Sequence, residues 1–371
     1  MKRVGILTFH SANNFGALLQ AVSLQKTIVE RGNSECELID YEPEFIRKDY
    51  SISPFKNKHP KAIIKSMLRI PDKIKRNSKF HAFRKKNTVC SNQCQSEENF
   101  RSICNSFDEI IVGSDQVWNY NLTENDMRYF LPGINASVNK VAYAASTGGA
   151  DFSSKESNKM IQCLQAFKDI SVRESASKTA LEQRLKEKNI EVVLDPVFLT
   201  KKNSWMKLAA EPVKKDYILF FKMGYSKTAE PALKFAKELS KETGYELLML
   251  WDQETWFKYR EVKHIGAVGP AEFLQWIAGA KCVVTNSFHA TAFSIILNTP
   301  FYVETEIERK DRVLNILDIF KLKKCGLIEG KSENGTIIPE IEWSAVNSLL
   351  DNERKKSLDF IDRILKYVVL P

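Results

Sequence analysis

Short strand-forming runs alternate with helical stretches along most of this sequence, and this alternation limits the fold more than any other feature. In the first half the strand-forming runs lie at residues 4–9, 36–41, 109–112, 141–145, 170–172 and 191–194. In the second half they lie at residues 217–221, 246–251, 281–285 and 301–303. Such alternation is typical of parallel strands joined by crossover helices. The sequence therefore predicts an α/β fold of two Rossmann-like lobes, each built on a parallel sheet.

The domain boundaries follow from breaks in this pattern. A chain of 371 residues is long enough for two domains of ordinary size. We expect an N-terminal lobe over 1–199, with a basic helical insert at about 44–105, and a C-terminal lobe over 216–343. The lysine-rich segment 200–215 has few strand-forming residues and is the expected linker. The tail 344–371 has a helical pattern, and we expect it to pack back on the first lobe.

The insert concentrates positive charge. Residues 44–86 hold 14 Lys or Arg against three acids, Glu44, Asp49 and Asp72. Apolar residues between 62 and 70 recur at helical spacing among these cations, which predicts an amphipathic helix. Two interpretations are open: a solvated helix packed on its domain, or a docking face for an anionic substrate or an anionic membrane surface. No recognised nucleic-acid-binding motif accompanies the charge, so nucleic acid is not an expected partner.

The cysteines and the amino terminus point to the cytoplasm. Seven is an odd number of cysteines, and their scattered positions suit free thiols in a reducing compartment. The spacing of Cys90, Cys94 and Cys104 matches no common zinc site, so no metal is expected. The first residues enter a strand without the apolar stretch of a signal peptide. No window reaches the roughly 18 apolar residues of a spanning helix, so the prediction is a cytoplasmic protein that is at most peripheral to the membrane.

Polar side chains follow the predicted strands in both halves. They occupy residues 10–16, 113–119, 146–149, 173–175, 222–225 and 286–289. In an open parallel sheet, ligands bind beyond the carboxyl ends of the strands. We therefore expect these segments to line an active site in the cleft between the lobes.

The segment 282–293 contains the strongest local feature, a strand that ends in cap residues with His289 in the first turn of the next helix. The free backbone N–H groups of that turn, beside Ser287, favour an anion. His289 next to a bound phosphate is a candidate proton donor. The alternative is that His289 only caps or packs.

Three further charged groups have two interpretations each. Arg173 follows a strand and either holds a phosphate or carboxylate or forms a salt bridge with Glu174 or a neighbouring loop. Asp115 lies in a Gly-Ser-Asp turn and is either a base or a cap. The third group is a basic cluster near a helix start, which indicates either a ligand phosphate or plain surface. Its members are Arg309, Lys310 and Arg312.

Familiar cofactor motifs are missing. Gly16 allows a ligand to approach the loop closely, but the loop is not a dinucleotide fingerprint. No GxGxxG, P-loop, nucleophile elbow or HExxH stands at the required position, so nicotinamide and ATP are not expected.

Five motifs occur in an order that resembles one family. They are Asn13-Asn14-Phe15-Gly16-Ala17, Val112-Gly113-Ser114-Asp115-Gln116-Val117-Trp118-Asn119, Ser171-Val172-Arg173-Glu174, Leu194-Asp195-Pro196 and Asn286-Ser287-Phe288-His289-Ala290-Thr291-Ala292-Phe293. Over about residues 4–320, this set resembles the polysaccharide pyruvyl transferases. The basic insert and the tail lie outside the resemblance.

The resemblance implies a GT-B-like architecture, phosphoenolpyruvate as donor substrate with no further cofactor, and a saccharide acceptor ketalised across two hydroxyls. His289 matches the family's active-site histidine, and Arg173 matches an arginine implicated in donor binding. Many members carry an arginine where this chain has Ser287. Lys222, Arg309 or Arg312 are the candidates to replace it, while Asn14, Gly16 and Ser114 complete the expected substrate-binding set.

The implied chemistry fits these residue types. His289 protonates the methylene carbon of phosphoenolpyruvate, a sugar hydroxyl attacks the adjacent carbon, and Asp115 accepts the hydroxyl proton. The expected role is surface polysaccharide biosynthesis, and a lipid-linked acceptor would give the basic insert a purpose.

Two alternatives remain. One is a glycosyltransferase that uses a nucleotide sugar, with Trp118, Tyr225 or Trp251 stacking on a ring. The other is a non-catalytic glycan-binding homologue.

Overall fold

A computed structural model describes the chain in two compact units. The described residues are 1–32, 34–51, 67–213, 215–223, 229–250, 259, 261–306 and 311–366. Unit 1 comprises Met1–Tyr50, Lys85–Thr200 and Asp351–Pro371, and unit 2 comprises Ser51–Arg84 and Lys201–Leu350. In the described residues, no helix combines the length and the apolar character that crossing a membrane requires.

Unit 1 contains a six-stranded sheet in the order β2-β1-β3-β4-β5-β6, and every pair of neighbours is parallel. The strands are β1 (Arg3–Leu7), β2 (Glu35–Leu38), β3 (Glu109–Val112), β4 (Asn139–Ala145), β5 (Asp169–Val172) and β6 (Ile190–Val192). All four residues of β3 are buried. Strands covered on both faces need near-continuous apolar runs, which explains the sequence pattern.

Unit 2 contains a second six-stranded parallel sheet, in the order β12-β11-β10-β7-β8-β9. Its strands are β7 (Tyr217–Phe221), β8 (Glu246–Leu250), β9 (Lys263–Ile265), β10 (Cys282–Thr285), β11 (Phe301–Glu304) and β12 (Gly326–Leu327). Tyr302 on β11 packs edge-on against Phe235, with ring centroids 4.8 Å apart. The predicted α/β fold with two parallel sheets is confirmed.

The helices connect the strands. In chain order those described are α1 (Phe15–Gly32), α2 (Glu44–Tyr50), α3 (Ile70–Asn87), α4 (Glu97–Cys104), α5 (Asn158–Leu164), α6 (Ser175–Glu182), α7 (Lys202–Met206), α8 (Ala229–Thr243), α9 (Pro270–Ala278), α10 (Phe288–Leu297), α11 (Asp311–Ile319) and α12 (Trp343–Leu365). Asn14 caps α1, since its Oδ1 accepts a hydrogen bond of 3.2 Å from the N–H of Ala17. Ser96 caps α4 in the same way, through the N–H of Asn99.

The C-terminal helix supplies core side chains to unit 1. Phe360, Ile361 and Ile364 of α12 are almost fully buried in one cluster with Val4 and Ile6 of β1. Burial of an apolar side chain of this size contributes about 1.5–3 kcal/mol. The last turns of α12 are therefore part of the unit 1 core.

The expected linker and part of the basic insert, which was expected within the N-terminal lobe, both belong to unit 2. In the proposed linker 200–215, Trp205 of α7 is buried, and its ring lies edge-on 5.1 Å from that of Phe293 in unit 2. In the basic insert, α3 buries Phe80 and Phe83, and the part up to Arg84 belongs to unit 2. Most of the amphipathic pattern over 62–70 lies outside the described residues.

Candidate functional site

The strand order of unit 1 brings its polar loops to one edge of the sheet. Ser114 and Asp115 follow β3, and Arg173 follows β5, with β4 between these two strands. Parallel strands place their carboxyl ends at the same edge. The structure therefore gathers Asp115, Ser114 and Arg173 as the sequence predicts.

A sharp turn after β3 presents Asp115. Gly113 has a φ of +113°, and a Cβ at this position would lie 2.4 Å from the carbonyl oxygen of Tyr143, so only glycine fits. Asp115 also has a positive φ, of 80°. Its carbonyl accepts a hydrogen bond from the N–H of Ser146 (2.9 Å), and its Oδ1 accepts one from the N–H of Gln116 (2.8 Å). The side chain remains 13% exposed, which leaves Asp115 accessible to a ligand.

Arg173 lies among three carboxylates. Its Nη1 is 2.6 Å from Oδ2 of Asp195, its Nη2 is 3.7 Å from Oδ1 of Asp115, and its Nε is 3.6 Å from Oε2 of Glu174. Burial alone would lower the pKa of Arg173, but the charges of these carboxylates outweigh burial and raise it. The side chain is 2% exposed. Its positive charge is thus balanced within the protein.

Asp195 directly follows the predicted strand 191–194, but we assigned it no role from the sequence. Its buried carboxylate accepts hydrogen bonds from the N–H of Val197 (3.1 Å) and from Oγ of Ser114 (3.3 Å), besides the ion pair with Arg173. Ser114 Oγ also lies 3.0 Å from the carbonyl oxygen of Ala144, and Ser114 is fully buried. These contacts give Ser114 a structural role in the turn. The available signal for Asp195 was the Leu194-Asp195-Pro196 motif.

The loop after β1 contains a buried histidine. His10 Nε2 lies 3.4 Å from Oδ1 of Asp40, and Nδ1 lies 3.3 Å from the carbonyl oxygen of Thr8. Burial lowers the pKa of His10, but hydrogen bonds that His10 donates to Asp40 and Cys90, with the charges of these groups, outweigh burial and raise the pKa to about 9. The two predicted ligand-binding residues of this loop lie at the start of α1: Asn14 caps the helix, and Gly16 is buried in its first turn.

In unit 2, hydrogen bonds tie together the loops after β7 and β10. Thr285 Oγ1 donates to the carbonyl of Phe221 (2.6 Å), and the Asn286 side chain both accepts from the N–H of Met223 (2.7 Å) and donates to its carbonyl (3.1 Å). Lys222 follows β7 and is 3% exposed. The link holds the Lys222 loop against the start of α10.

The first turn of α10 carries Ser287 and His289. Ser287 is the N-cap, and its Oγ accepts a 3.4 Å hydrogen bond from the N–H of Ala290. An arginine could not form this bond because its side chain has no acceptor. The His289 ring meets the Phe288 ring edge-on at 5.1 Å, and the guanidinium of Arg312 lies 5.9 Å from the Phe288 ring. Unit 2 therefore gathers Lys222, Ser287, His289 and Arg312, whereas Arg309 lies outside the described residues.

Of the three aromatic residues proposed to stack on a ligand in the glycosyltransferase alternative, the structure describes only Trp118. Trp118 is fully buried and stacks on Phe130 with ring centroids 6.2 Å apart, so it cannot receive a ligand ring. Tyr225 and Trp251 lie outside the described residues. Within those residues, no three His, Cys, Asp or Glu side chains form a group that could hold a metal ion.

Two parallel six-stranded sheets with polar carboxyl edges define a GT-B-like α/β protein. The model of the polysaccharide pyruvyl transferase family matches residues 14–305. The chain belongs to the polysaccharide pyruvyl transferase family, which supports its assignment as a transferase of polysaccharide biosynthesis. A search of curated proteins found no match.

Solved structures share the fold. The UDP-GlcNAc 2-epimerase of Methanocaldococcus jannaschii is 13% identical with a TM-score of 0.52, over 99% of this chain and 100% of that one. An alpha-glucosyltransferase, in complex with UDP and a 13-mer DNA, is 11% identical with a TM-score of 0.51, over 97% and 94% of the two chains. At such identities the likeness concerns the fold alone.

Proposed function

We propose that this protein transfers the pyruvyl group of phosphoenolpyruvate to two hydroxyls of a saccharide and so forms a pyruvate ketal. Family membership supports the reaction class. The observation that carries the proposal is the position of His289 in the first turn of α10. Its ring contacts the ring of Phe288, and the guanidinium of Arg312 lies near the same ring. An acid beside an anion-binding helix start is what protonation of phosphoenolpyruvate requires.

The donor anion binds at the unit 2 edge in this proposal. Lys222 and Arg312 supply positive charge, and the first N–H groups of α10 add partial positive charge. The nearby carboxyl group of Glu304 accepts hydrogen bonds from the backbone N–H groups of Glu306, Glu329 and Gly330, but burial outweighs them and raises its pKa, which disfavours a negative charge beside the donor. At the unit 1 edge, by contrast, three carboxylates surround Arg173 and would repel a phosphate.

The reaction then has four steps. His289 donates a proton to the methylene carbon, and the adjacent carbon becomes electrophilic. A sugar hydroxyl adds to that carbon while Asp115 accepts its proton. The carbon–oxygen bond to phosphate breaks, and phosphate leaves with the proton that Asp115 held. A second hydroxyl adds to the resulting oxocarbenium carbon and returns its proton to His289, which closes the ketal.

The acceptor in this proposal is a lipid-linked saccharide at an anionic membrane surface. Around the start of α3, Leu68 is 69% exposed, Ile74 is 52% exposed and Met67 is 45% exposed, while Lys75 and Lys85 are exposed along the helix. Apolar side chains beside lysines favour anionic headgroups. Vesicle flotation checks this part: binding to vesicles with phosphatidylglycerol, lost in the double variant Leu68→Ser and Ile74→Ser, supports it. Equal binding to neutral vesicles contradicts it.

Phosphate release from phosphoenolpyruvate is the main assay, with a panel of lipid-linked and nucleotide-linked saccharides. We expect release that needs an acceptor, and a loss of about 10²–10⁴-fold in His289→Asn. The matched control is His81→Asn, because His81 is an exposed residue of α3 with no role in the proposal. Wild-type turnover by a folded His289→Asn variant contradicts the assigned role. Nucleotide-sugar turnover without phosphoenolpyruvate turnover favours a glycosyltransferase.

A further inference from the structure

Asp195 takes no part in the proposed chemistry, yet its carboxylate is completely buried. Burying a carboxylate is costly unless the charge is paired and hydrogen-bonded. Asp195 meets this condition through Arg173, with 2.6 Å between Oδ2 and Nη1, and through the N–H of Val197. The pairing is long-range in sequence and fixes one branch of the guanidinium.

The geometry of the guanidinium extends this constraint to Asp115. A guanidinium is planar, and its N–H groups point in fixed directions. When Asp195 holds Nη1, the direction of Nη2 is set, and Nη2 faces Oδ1 of Asp115 at 3.7 Å. Glu174 supports the same orientation, because Nε lies 3.6 Å from its Oε2.

The supporting carboxylates are themselves held. Oε1 of Glu174 accepts hydrogen bonds from the hydroxyls of Ser146 and Ser177. Oδ1 of Asp195 accepts the N–H of Val197 at the start of the short 3₁₀ helix Pro196–Phe198. Arg173 is therefore clamped from two sides, and Asp115 is the only one of the three carboxylates around it with an exposed fraction above 5%.

We infer that Asp195 is a positioning residue: through Arg173 it sets the direction of the Asp115 carboxylate, which is the base of the proposed reaction. The inference rests on the proposed function. Asp195 is fully buried, so it acts on the reaction only through its neighbours: Arg173, and Ser114 at 3.3 Å, which precedes Asp115 in the turn. It also assigns Arg173, in this chain, to the acceptor side of the chemistry and not to the donor phosphate.

The substitution Asp195→Asn tests this relation with little change in shape. An asparagine oxygen still accepts the N–H of Val197, but the charge that holds Arg173 is gone. We expect kcat to fall about ten- to hundredfold, the equivalent of losing one charged hydrogen bond, while KM for phosphoenolpyruvate stays unchanged. A rise in KM for phosphoenolpyruvate with unchanged kcat would contradict the inference.

A double-variant cycle separates positioning from a general structural effect. In an Asp115→Asn background, Asp195→Asn should lower the residual rate no further, because the group that it positions is already lost. Equal losses in both backgrounds overturn the inference. The matched control is Ser357→Ala, which removes a buried 3.0 Å hydrogen bond to the N–H of Leu194 without touching Arg173. It should cost stability and leave kcat unchanged.

A replacement variant and a measurement of unfolding free energies cover the cases in which Asp195→Asn does not fold or the wild type is inactive. If Asp195→Asn does not fold, Arg173→Lys replaces it, since one ammonium cannot contact Asp195 and Asp115 as the two branches of a guanidinium do. The same cycle with Asp115→Asn then applies. If the wild type turns over no phosphoenolpyruvate, the proposed function fails, and the unfolding free energies of the single and double variants decide the geometry. Non-additive values support the clamp, and additive values overturn it.

Discussion

Glu109 provides the sharpest quantitative prediction, because its carboxyl group titrates near neutral pH. It begins β3, is fully buried, and its Oε2 accepts a 2.9 Å hydrogen bond from Nζ of Lys2. Burial raises the pKa of Glu109 from 4.5 to about 7, although Lys2 opposes the shift. Oε1 has no hydrogen-bond partner among the described residues, which is consistent with the dominance of burial.

The sign of the effect follows from proton uptake. Between pH 4.5 and about 7 the folded protein keeps a proton on Glu109 that the unfolded chain releases. Stability therefore falls as pH rises through this window, and the loss is complete above pH 7. A difference of roughly 2.5 pKa units at about 1.4 kcal/mol each gives a loss of about 3 kcal/mol.

Glu109→Gln should remove this dependence. We expect the free energy of unfolding of the variant, relative to the wild type, to increase by about 3 kcal/mol between pH 4.5 and pH 8. Denaturant unfolding at several pH values measures it. Lys2 keeps its contact with the carbonyl of Ile364 (3.2 Å), so the variant leaves no cation without a partner.

Glu35→Gln, at an exposed position of the neighbouring β2, is the control and should show the pH dependence of the wild type. A difference between Glu109→Gln and the wild type that is constant with pH refutes the reasoning. Phosphoenolpyruvate turnover should be unaffected, because Glu109 lies at the end of β3 opposite to Gly113.

Three further predictions concern backbone and charge. Gly113→Ala should lower stability by more than Gly149→Ala. Both positions have a positive φ, which costs a non-glycine residue about 1–3 kcal/mol, but only at Gly113 would the added Cβ collide with the backbone of Tyr143. Equal losses of stability in thermal unfolding would contradict this prediction. Ser287→Ala should cost about 1 kcal/mol in denaturant unfolding through loss of the helix cap, and no loss would show that the cap is unimportant. The pKa of His10 is about 9 in the folded protein and 6.5 ordinarily, so the stability that its protonation contributes is present below pH 6.5 and lost as pH rises through 9. His10→Asn should flatten this decline in the free energy of unfolding. An unchanged pH profile would contradict this prediction.

The alternation of strands and helices was enough to predict the α/β fold. Runs such as residues 110–112 are apolar throughout because parallel strands are covered on both faces, and this is visible without a structure. The two-residue β12 is too short to leave such a pattern. The assignment of α3 to unit 2 up to Arg84 was also hidden, because the buried residues Phe80 and Phe83 show that a helix packs but not on which sheet.

The site was predictable only residue by residue. The strand-end rule located Asp115, Arg173, Lys222 and His289 at carboxyl edges. Asp195 also follows a predicted strand, but the rule could not show that it pairs with Arg173, because the ion pair joins residues 22 positions apart and depends on how the ends of neighbouring strands meet. Spacing in the sequence contains no information on that meeting point.

Unit 1 is built from three separate stretches of chain, and the last of them contains Phe360, Ile361 and Ile364. During synthesis on the ribosome, the first six strands emerge long before these side chains exist. The cluster around Val4 and Ile6, to which α1 also contributes, must therefore wait for the α12 part of its cover while nearly all of unit 2 is translated. Loss of the final turns of α12 would leave that cluster partly exposed, so a premature stop there should yield a protein that depends on chaperones or is degraded.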